Sequence, residues 1–284
     1  MGPDRERSPG AGSAHLREVA AYYLSVTDLY RAAWGDSYHF ACFEHGESRE
    51  EALASTELMV AAAGGYRPGQ QVLDVGSGIG GPALTISRQT RTRVVGVDLL
   101  SRHVKTARER AKTAGLDGQV SFVQADAGRL PFRDRSFDHV YLFESGCHVL
   151  DKAVLYQECG RVLRSGGTFG GTDWMRRDGP LGDNEQASML RICAGFHCPD
   201  LISPTELREH LAAARLVPAV VEDLAATGEL TPNWEPLARG LGDRSRSGAP
   251  EARAAATLTR AGAELVTAAA QGTFVVGRWL AWKP

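Results

Sequence analysis

The stretch at residues 71–82 decides the fold, and it reads Gln71-Val72-Leu73-Asp74-Val75-Gly76-Ser77-Gly78-Ile79-Gly80-Gly81-Pro82. Its apolar half, residues 72–75, has the length and composition of a short buried strand. Glycines follow at once, and because glycine has no Cβ they allow a tight turn and a close approach of the backbone to a ligand. The residues after Gly81 can begin a helix whose free N–H groups face that ligand. The stretch therefore predicts a strand, a ligand-binding loop and a helix.

Glycine spacing alone does not identify the ligand of this loop. Gly76, Gly78 and Gly81 also satisfy the G-x-G-x-x-G pattern of dinucleotide-binding folds. The next predicted strand, residues 94–98, ends in Asp98, about 20 residues beyond the loop, where an acid would meet ribose hydroxyls. NAD and S-adenosylmethionine both carry such a ribose, so both ligands remain open at this point.

Further motifs follow the glycine loop in a fixed order. They are Gly96-Val97-Asp98, Gln124-Ala125-Asp126-Ala127, Leu130-Pro131-Phe132 with Ser136-Phe137-Asp138, and Arg161-Val162-Leu163-Arg164-Ser165-Gly166-Gly167. With the loop, they resemble the Rossmann-like, S-adenosylmethionine-dependent methyltransferases over residues 68–174, especially the tocopherol and sterol C-methyltransferases and the rebeccamycin-type sugar O-methyltransferases. The resemblance favours the methyl donor S-adenosylmethionine over NAD.

The resemblance implies an α/β fold with a doubly wound, mostly parallel seven-stranded sheet and an antiparallel last strand. One methyltransferase domain is expected over residues 15–284. Its parts are an N-terminal helical lid at 15–66, a cofactor-binding core at 67–174, and substrate-cap segments at 175–202 and 224–270 over the carboxyl ends of the strands. Residues 1–14 are polar and contain Pro and Gly, which predicts a disordered leader.

The resemblance also assigns the cofactor-binding residues. It places Gly76, Ser77, Gly78 and Gly80 against the methionine portion and Asp74 near the sulfonium or amino group. It places Asp98 on the ribose hydroxyls, Asp126 and Ala127 on the adenine, and Leu99 on the adenine face. Phe143 is also expected to bind the cofactor. The alternatives to these binding roles are structural: the glycines would only form a tight turn, and Asp98 would only cap the loop.

Two candidates for a catalytic base lie in Glu144-Ser145-Gly146-Cys147-His148, just after the fourth predicted strand. This segment resembles the Glu-Ser-x-x-His segment of the tocopherol methyltransferases and of the rebeccamycin-type sugar O-methyltransferases. In the sugar O-methyltransferases, a histidine here works with an aspartate after the fifth strand, which would fix the tautomer of the histidine. The matching positions are His148 and Asp173, and Cys147 replaces the family's adjacent histidine. A histidine can accept a proton near neutral pH. Glu144 is the rival base, favoured if carbon is methylated, and its structural alternative is a cofactor contact or a turn cap.

Aromatic and histidine side chains outside the motifs are candidates for acceptor binding. The candidates are Tyr22, Tyr23, Trp34, His39, Trp174, His197 and Trp234. The tyrosines lie on an amphipathic helical pattern that precedes the first strand, so they predict either a lid over the site or ordinary core packing. For His39, an ordinary packed histidine is the alternative. An aromatic, apolar pocket suits a terpenoid, polyketide, glycoside or other ring-containing acceptor of specialised metabolism.

Composition excludes several other classes of function. A net charge of −2 gives no basic excess for nucleic acid. No apolar run approaches the ~20 residues that a membrane span needs, so no membrane partner is expected. The five cysteines are odd in number and lack metal-ligand spacing, which favours reduced thiols and a cytoplasmic location. With no carboxylate cluster of metal-ligand spacing, metal independence is predicted.

Three questions stay open from the sequence. The methyl group can go to carbon, oxygen or nitrogen, because the acceptor is read by the variable lid and not by the motifs. A homodimer is compatible with the sequence. A nicotinamide-dependent oxidoreductase using the same loop, and a non-catalytic cofactor-binding relative, are the alternatives to a methyltransferase acting on a small-molecule acceptor.

Overall fold

The computed structural model describes residues 11–44, 46–234 and 250–284. Seven strands form one sheet in the order β3-β2-β1-β4-β5-β7-β6. The strands are β1 (Gln71–Val75), β2 (Arg93–Asp98), β3 (Val120–Gln124), β4 (Phe137–Phe143), β5 (Leu163–Arg176), β6 (Val217–Asp223) and β7 (Phe274–Trp282). The first five run parallel, and β7 lies antiparallel between β5 and β6. The predicted fold class, including the antiparallel last strand, is confirmed.

Helices cover the sheet and its carboxyl edge. They are α1 (Ala11–Trp34), α2 (Arg49–Ala63), α3 (Gly81–Thr90), α4 (Ser101–Thr113), α5 (Lys152–Val162), α6 (Asp183–Phe196), α7 (Pro204–Ala213) and α8 (Pro250–Ala270). Ser48 and Ser203 begin α2 and α7 with capping boxes, in which a serine oxygen and a glutamate satisfy free N–H groups at the helix start. Such signals are local, and the sequence shows them directly.

The predicted leader and cap need adjustment at their boundaries. The first helix begins at Ala11, before the predicted boundary at residue 15, while residues 1–10 lie outside the described residues. The fifth strand continues to Arg176 and takes the first two residues of the predicted cap segment 175–202. Residues 235–249 of the predicted cap segment 224–270 also lie outside the described residues.

Several apolar cores stabilise the described residues, and two of them position the site. One lies within the sheet, where Leu73, Val140 and Phe169 are fully buried, as expected of parallel strands covered on both faces. The other joins the lid to the cap, because α1 and α6 both pack against α8 through residues such as Val26 and Ile192. Within the described residues, no helix combines the length and the apolar character needed to cross a bilayer.

The strand order reverses beside β1, which has β2 on one side and β4 on the other. Loops that follow neighbouring strands leave in opposite directions there and open a crevice at the carboxyl edge, the usual ligand site of such sheets. The glycine loop after β1 and Glu144 after β4 both lie at this crevice. Helix α1 contributes to its outer wall through His15, Val19 and Tyr23.

Candidate active site

A cavity of ≈ 440 Å³ occupies the crevice where the strand order reverses. Nine of the ten predicted cofactor residues line it. They are Asp74, Gly76, Ser77, Gly78, Asp98, Leu99, Asp126, Ala127 and Phe143. Gly80 does not line the cavity, which corrects its predicted role. It begins α3 with φ +85°, and a Cβ there would press on the Phe122 ring, so Gly80 serves the turn and its packing.

The glycine loop approaches its neighbours closely. Gly76 and Gly78 have φ values of +80° and +51°, a region that most other residues avoid. A Cβ on Gly76 would also overlap the side chain of Ser145, which follows β4. The loop therefore needs glycine both for its backbone conformation and for its contact with the segment that carries Glu144.

Asp98 holds the loop and faces the cavity at once. Its Oδ2 accepts from the Gly78 N–H at 2.9 Å, and its Oδ1 accepts from the Leu100 N–H at 2.9 Å and lies 3.0 Å from His103 Nδ1. An ionised carboxylate has about four acceptor sites. One site is thus left for a ribose hydroxyl, so the loop-cap role and the cofactor role coexist.

His103 also belongs to this site, although no sequence motif indicates it. It is buried on α4, where it looks like one more position on an amphipathic helix. Its Nε2 lies 2.8 Å from Thr27 Oγ1 on α1, and its Nδ1 faces Asp98. His103 therefore connects the lid helix directly to the carboxylate that is expected to hold the ribose.

Three polar atoms at the cavity wall need a ligand. Ser77 Oγ and Tyr38 Oη are buried and have no hydrogen-bond partner among the residues that the structure describes, and the buried Asp74 Oδ2 has only the hydroxyl of Tyr141 close to it. Burial raises the pKa of Asp74 to about 8. Buried polar groups are normally satisfied, so these atoms fit a ligand that brings both hydrogen-bonding groups and positive charge, as the amino and sulfonium groups of S-adenosylmethionine do.

Asp74 makes the stability of the ligand-free protein depend on pH. Its pKa is raised from 3.8 to about 8 by burial, so the folded state binds a proton more tightly than the unfolded state does. Its contribution to stability is complete below the unfolded value and is lost as pH rises through the folded value. We expect the free energy of unfolding to fall between about pH 4 and pH 8 and the fall to be shallower in Asp74→Asn. Urea unfolding across this range measures both slopes, and equal slopes would refute the assignment.

Comparison with known proteins identifies the family. Residues 73–170 match the family described as "Methyltransferase domain". The chain is 38% identical over 217 residues to the sterol 24-C-methyltransferase ERG6B of Gibberella zeae, covering 75% of this chain and 57% of that protein. It is 36% identical over 209 residues to the cycloartenol-C-24-methyltransferase of Arabidopsis thaliana, covering 73% and 62%.

Residues 73–170 therefore form a methyltransferase domain, and the chain is similar to S-adenosylmethionine-dependent methyltransferases of the sterol C-methyltransferase type. The predicted cofactor, S-adenosylmethionine, is thereby confirmed, and the nicotinamide alternative is wrong. The chain spans roughly three-fifths of the length of the curated relatives that it matches.

Solved structures confirm the fold. A sarcosine dimethylglycine methyltransferase homologue from Galdieria sulphuraria has a TM-score of 0.79 at 23% identity and covers 90% of this chain and 97% of its own. The [4+2]-cyclase SpnF reaches 0.80 at 24% identity, with coverages of 95% and 97%. Geranyl diphosphate C-methyltransferase from Streptomyces coelicolor reaches 0.73 at 19% identity, with coverages of 98% and 100%. Because a cyclase shares this fold, the reaction must be argued from the site.

Two hydrogen bonds hold Glu144 at the wall of the cavity. Its Oε1 accepts from the Phe40 N–H at 2.7 Å, and its Oε2 accepts from Trp174 Nε1 at 2.6 Å. Its φ of +51° is uncommon for a residue other than glycine. Burial raises the pKa of the carboxyl group to about 7, although His39 and the two donors oppose the shift. The carboxyl group is thus poised near neutrality beside the cavity.

Both ring nitrogens of His148 lie close to other protein groups, which the sequence did not indicate. Its Nε2 lies 2.8 Å from Tyr23 Oη, and its Nδ1 lies 3.4 Å from the His197 carbonyl oxygen and 3.7 Å from Cys198 Sγ. Burial lowers its pKa, but the Cys198 sulfur and the His197 carbonyl more than offset this, so the pKa lies above its usual value. A neutral imidazole has one acceptor nitrogen, and both ring nitrogens already face protein groups.

The structure does not join Asp173 to His148 by a hydrogen bond. The carboxylate of Asp173 instead accepts from the Cys147 N–H at 3.1 Å and from the Trp174 N–H at 2.9 Å. It is buried, and burial raises its pKa to about 6. Instead of pairing with His148 as predicted, Asp173 holds the turn Gly146–His148 through the Cys147 N–H.

A second cavity of about 40 Å³ shares a wall with the first, formed by residues that include Glu144 and His148. Four of the predicted acceptor residues line it, namely Tyr23, Trp34, His39 and Trp174. His39 is also a packed histidine, with Nε2 3.1 Å from Glu57 Oε1. Tyr30, Tyr38, Phe40 and Phe196 complete the wall. They lie in the predicted lid and cap segments, 15–66 and 175–202, although the sequence did not single them out individually.

Three predicted acceptor residues line neither cavity, which corrects their placement. Tyr22 is buried in the lid core, where its hydroxyl bonds to that of Tyr30 and its ring lies 4.8 Å from the ring of His197. Trp234 packs edge-on against Phe40 at 4.9 Å. Tyr22 and Trp234 thus pack behind the wall residues Tyr30 and Phe40. For Tyr22 the reason is helical spacing, because the turn of α1 that exposes Tyr23 to the cavity directs its neighbour away from it.

Proposed function

We propose that this chain transfers the methyl group of S-adenosylmethionine to an alkene carbon of a sterol- or terpenoid-type acceptor. The observation that carries the proposal is the buried Glu144 carboxyl group at the wall of an aromatic cavity. Its relatives include a sterol 24-C-methyltransferase and a cycloartenol-C-24-methyltransferase, whose names indicate this type of acceptor. These names favour sterol metabolism over specialised metabolism.

The residues around Glu144 suit methylation of carbon. When bound, the cofactor supplies an electrophilic methyl group. The acceptor's π electrons form the new carbon–carbon bond, and positive charge develops on the neighbouring carbon of the acceptor. The faces of Phe40 and Trp174 can stabilise that charge. The Glu144 carboxylate then takes a proton from an adjacent carbon, and the electrons of that C–H bond restore a double bond.

Methylation of oxygen is the second candidate, and His148 would be its base. The raised pKa of His148 at the cavity wall favours it. However, proton uptake at Nε2 would cost His148 the hydrogen bond that Tyr23 can donate there. Glu144 has two donors against about four acceptor sites, so it has room for a proton. The geometry therefore supports carbon methylation better.

The charge of the walls favours a neutral acceptor. Among the described residues, neither cavity is lined by lysine or arginine. A diphosphate group would need such cations or a bound metal ion. The second cavity, at about 40 Å³, is little larger than the volume that one water molecule occupies in liquid water. It must therefore widen before the carbon chain of an acceptor can lie beside Trp174.

An acceptor panel tests the proposed function. The full chain is incubated with methyl-labelled S-adenosylmethionine and, separately, a sterol with a side-chain double bond, the same sterol with that bond saturated, geranyl diphosphate with Mg²⁺, and a phenol. We expect label only in the unsaturated sterol. Label in the phenol or in the saturated sterol would instead indicate oxygen methylation, and label in geranyl diphosphate would refute the neutral acceptor. A cytoplasmic location and a homodimer stay predictions.

A further inference from the structure

Three groups that can bind a metal ion meet behind the acceptor wall. Cys147, His148 and Cys198 place one sulfur or ring nitrogen each so that these atoms all lie within 4.8 Å of one another. The His148 Nδ1 to Cys198 Sγ distance is 3.7 Å. Tetrahedral zinc with ligand distances of about 2.0–2.3 Å separates its ligand atoms by a similar length. Little movement would bring all three atoms onto one ion.

The geometry points to a binding site for a thiophilic divalent ion such as Zn²⁺, formed by Cys147 Sγ, Cys198 Sγ and His148 Nδ1. Thiolate and imidazole are the ligands that select such ions, whereas Mg²⁺ prefers oxygen. Each thiol that binds the ion gives up its proton to solvent, so two thiolates balance the charge of the ion. Three protein ligands leave a fourth position for water or a small anion.

Tyr23 orients the histidine for this role. A metal-bound histidine normally engages its other ring nitrogen with a hydrogen-bond partner, which fixes the tautomer. In this chain the other nitrogen is Nε2, and it lies 2.8 Å from Tyr23 Oη. When Nδ1 binds the ion, Nε2 carries the proton and donates it to the tyrosine oxygen. The partner that limits His148 as a base therefore suits it as a ligand.

Two other buried cysteines lie outside this cluster and provide matched controls for it. Cys193 lies on α6 close to Cys198, since its carbonyl accepts from the Cys198 N–H at 3.0 Å, yet it is not one of the clustered ligands. Cys159 is fully buried on α5 and also stands outside the cluster. Sequence spacing could not indicate the site, because Cys198 follows His148 by 50 positions.

Cobalt titration of the full chain tests the site without any methyl transfer. Co²⁺ is added to protein held reduced by a phosphine, and absorbance is recorded. We expect one Co²⁺ per chain, with a thiolate-to-cobalt charge-transfer band and the intense visible bands of tetrahedral coordination, all removed by Zn²⁺. Cys147→Ser and Cys198→Ser should each weaken the charge-transfer band and the affinity, and Tyr23→Phe should weaken the affinity about 10- to 100-fold.

Matched variants make the result decisive. Cys193→Ser and Cys159→Ser should bind Co²⁺ as the unaltered chain does, since neither sulfur belongs to the cluster. S-adenosylhomocysteine binding by each variant shows that it is folded. Absence of a charge-transfer band in the unaltered chain, or its persistence at full strength in Cys198→Ser, would overturn the proposal.

Discussion

Replacing Glu144 with glutamine is expected to lower turnover by about 10²- to 10⁴-fold, the usual contribution of a positioned acid or base. The carboxyl group lies at the cavity wall, is held by Phe40 and Trp174, and has a pKa raised by burial to about 7. Glutamine keeps its size but cannot take up the proton. Single-turnover measurements with labelled cofactor would give the rate, and calorimetric titration with S-adenosylhomocysteine would show nearly unchanged cofactor affinity.

His148→Ala is the comparison for this experiment. Because both of its ring nitrogens face protein groups, we expect a smaller loss of turnover than in Glu144→Gln. Thermal unfolding of both variants controls for the hydrogen bonds that each one loses. Full activity in Glu144→Gln, together with a large loss in His148→Ala, would move the base to His148 and favour methylation of oxygen.

Asp98→Ala is expected to weaken S-adenosylhomocysteine binding by at least about 10- to 100-fold, the equivalent of losing one or more hydrogen bonds to a charged group. The carboxylate has about one acceptor site left for the ribose, and it also holds Gly78 and Leu100 in the shape that the loop needs. Calorimetric titration measures the loss.

Asp28→Ala is the matched control for the cofactor site. Asp28 is an exposed carboxylate on α1 that pairs with Arg102 and does not line the cavity. We expect its removal to leave the affinity unchanged. If Asp98→Ala bound the thioether as tightly as Asp28→Ala does, the assigned ribose contact would be wrong and Asp98 would be a loop cap alone.

Most of the fold could be predicted from short-range signals in the sequence. The strand and glycine loop at 71–82 and the capping boxes at Ser48 and Ser203 are where the sequence indicated them, because each depends on residues close in the chain. The strand order also follows from the family's topology. The carboxyl edge of the sheet then brings nine of the ten cofactor candidates to one cavity, since parallel strands end together there.

The acceptor side was less predictable because long-range packing forms it. Glu144 is fixed by Phe40, 104 positions away, and His148 by Tyr23, 125 positions away. Asp173 looked like a histidine partner but accepts from the Cys147 N–H of the turn instead. Gly80 looked like a cofactor contact, although its missing side chain makes room for Phe122. No short-range pattern separates these alternatives.

The most direct test of the proposed reaction uses a cofactor with a fully deuterated methyl group and a sterol with a side-chain double bond. We predict a product in which the fully deuterated methyl group is attached to carbon and one hydrogen has been lost from a neighbouring carbon. The Glu144→Gln variant should form this product far more slowly. Mass and nuclear magnetic resonance spectra of the product show both changes. A product in which the labelled methyl group lies on oxygen, or no product while cofactor binds tightly, would contradict the account.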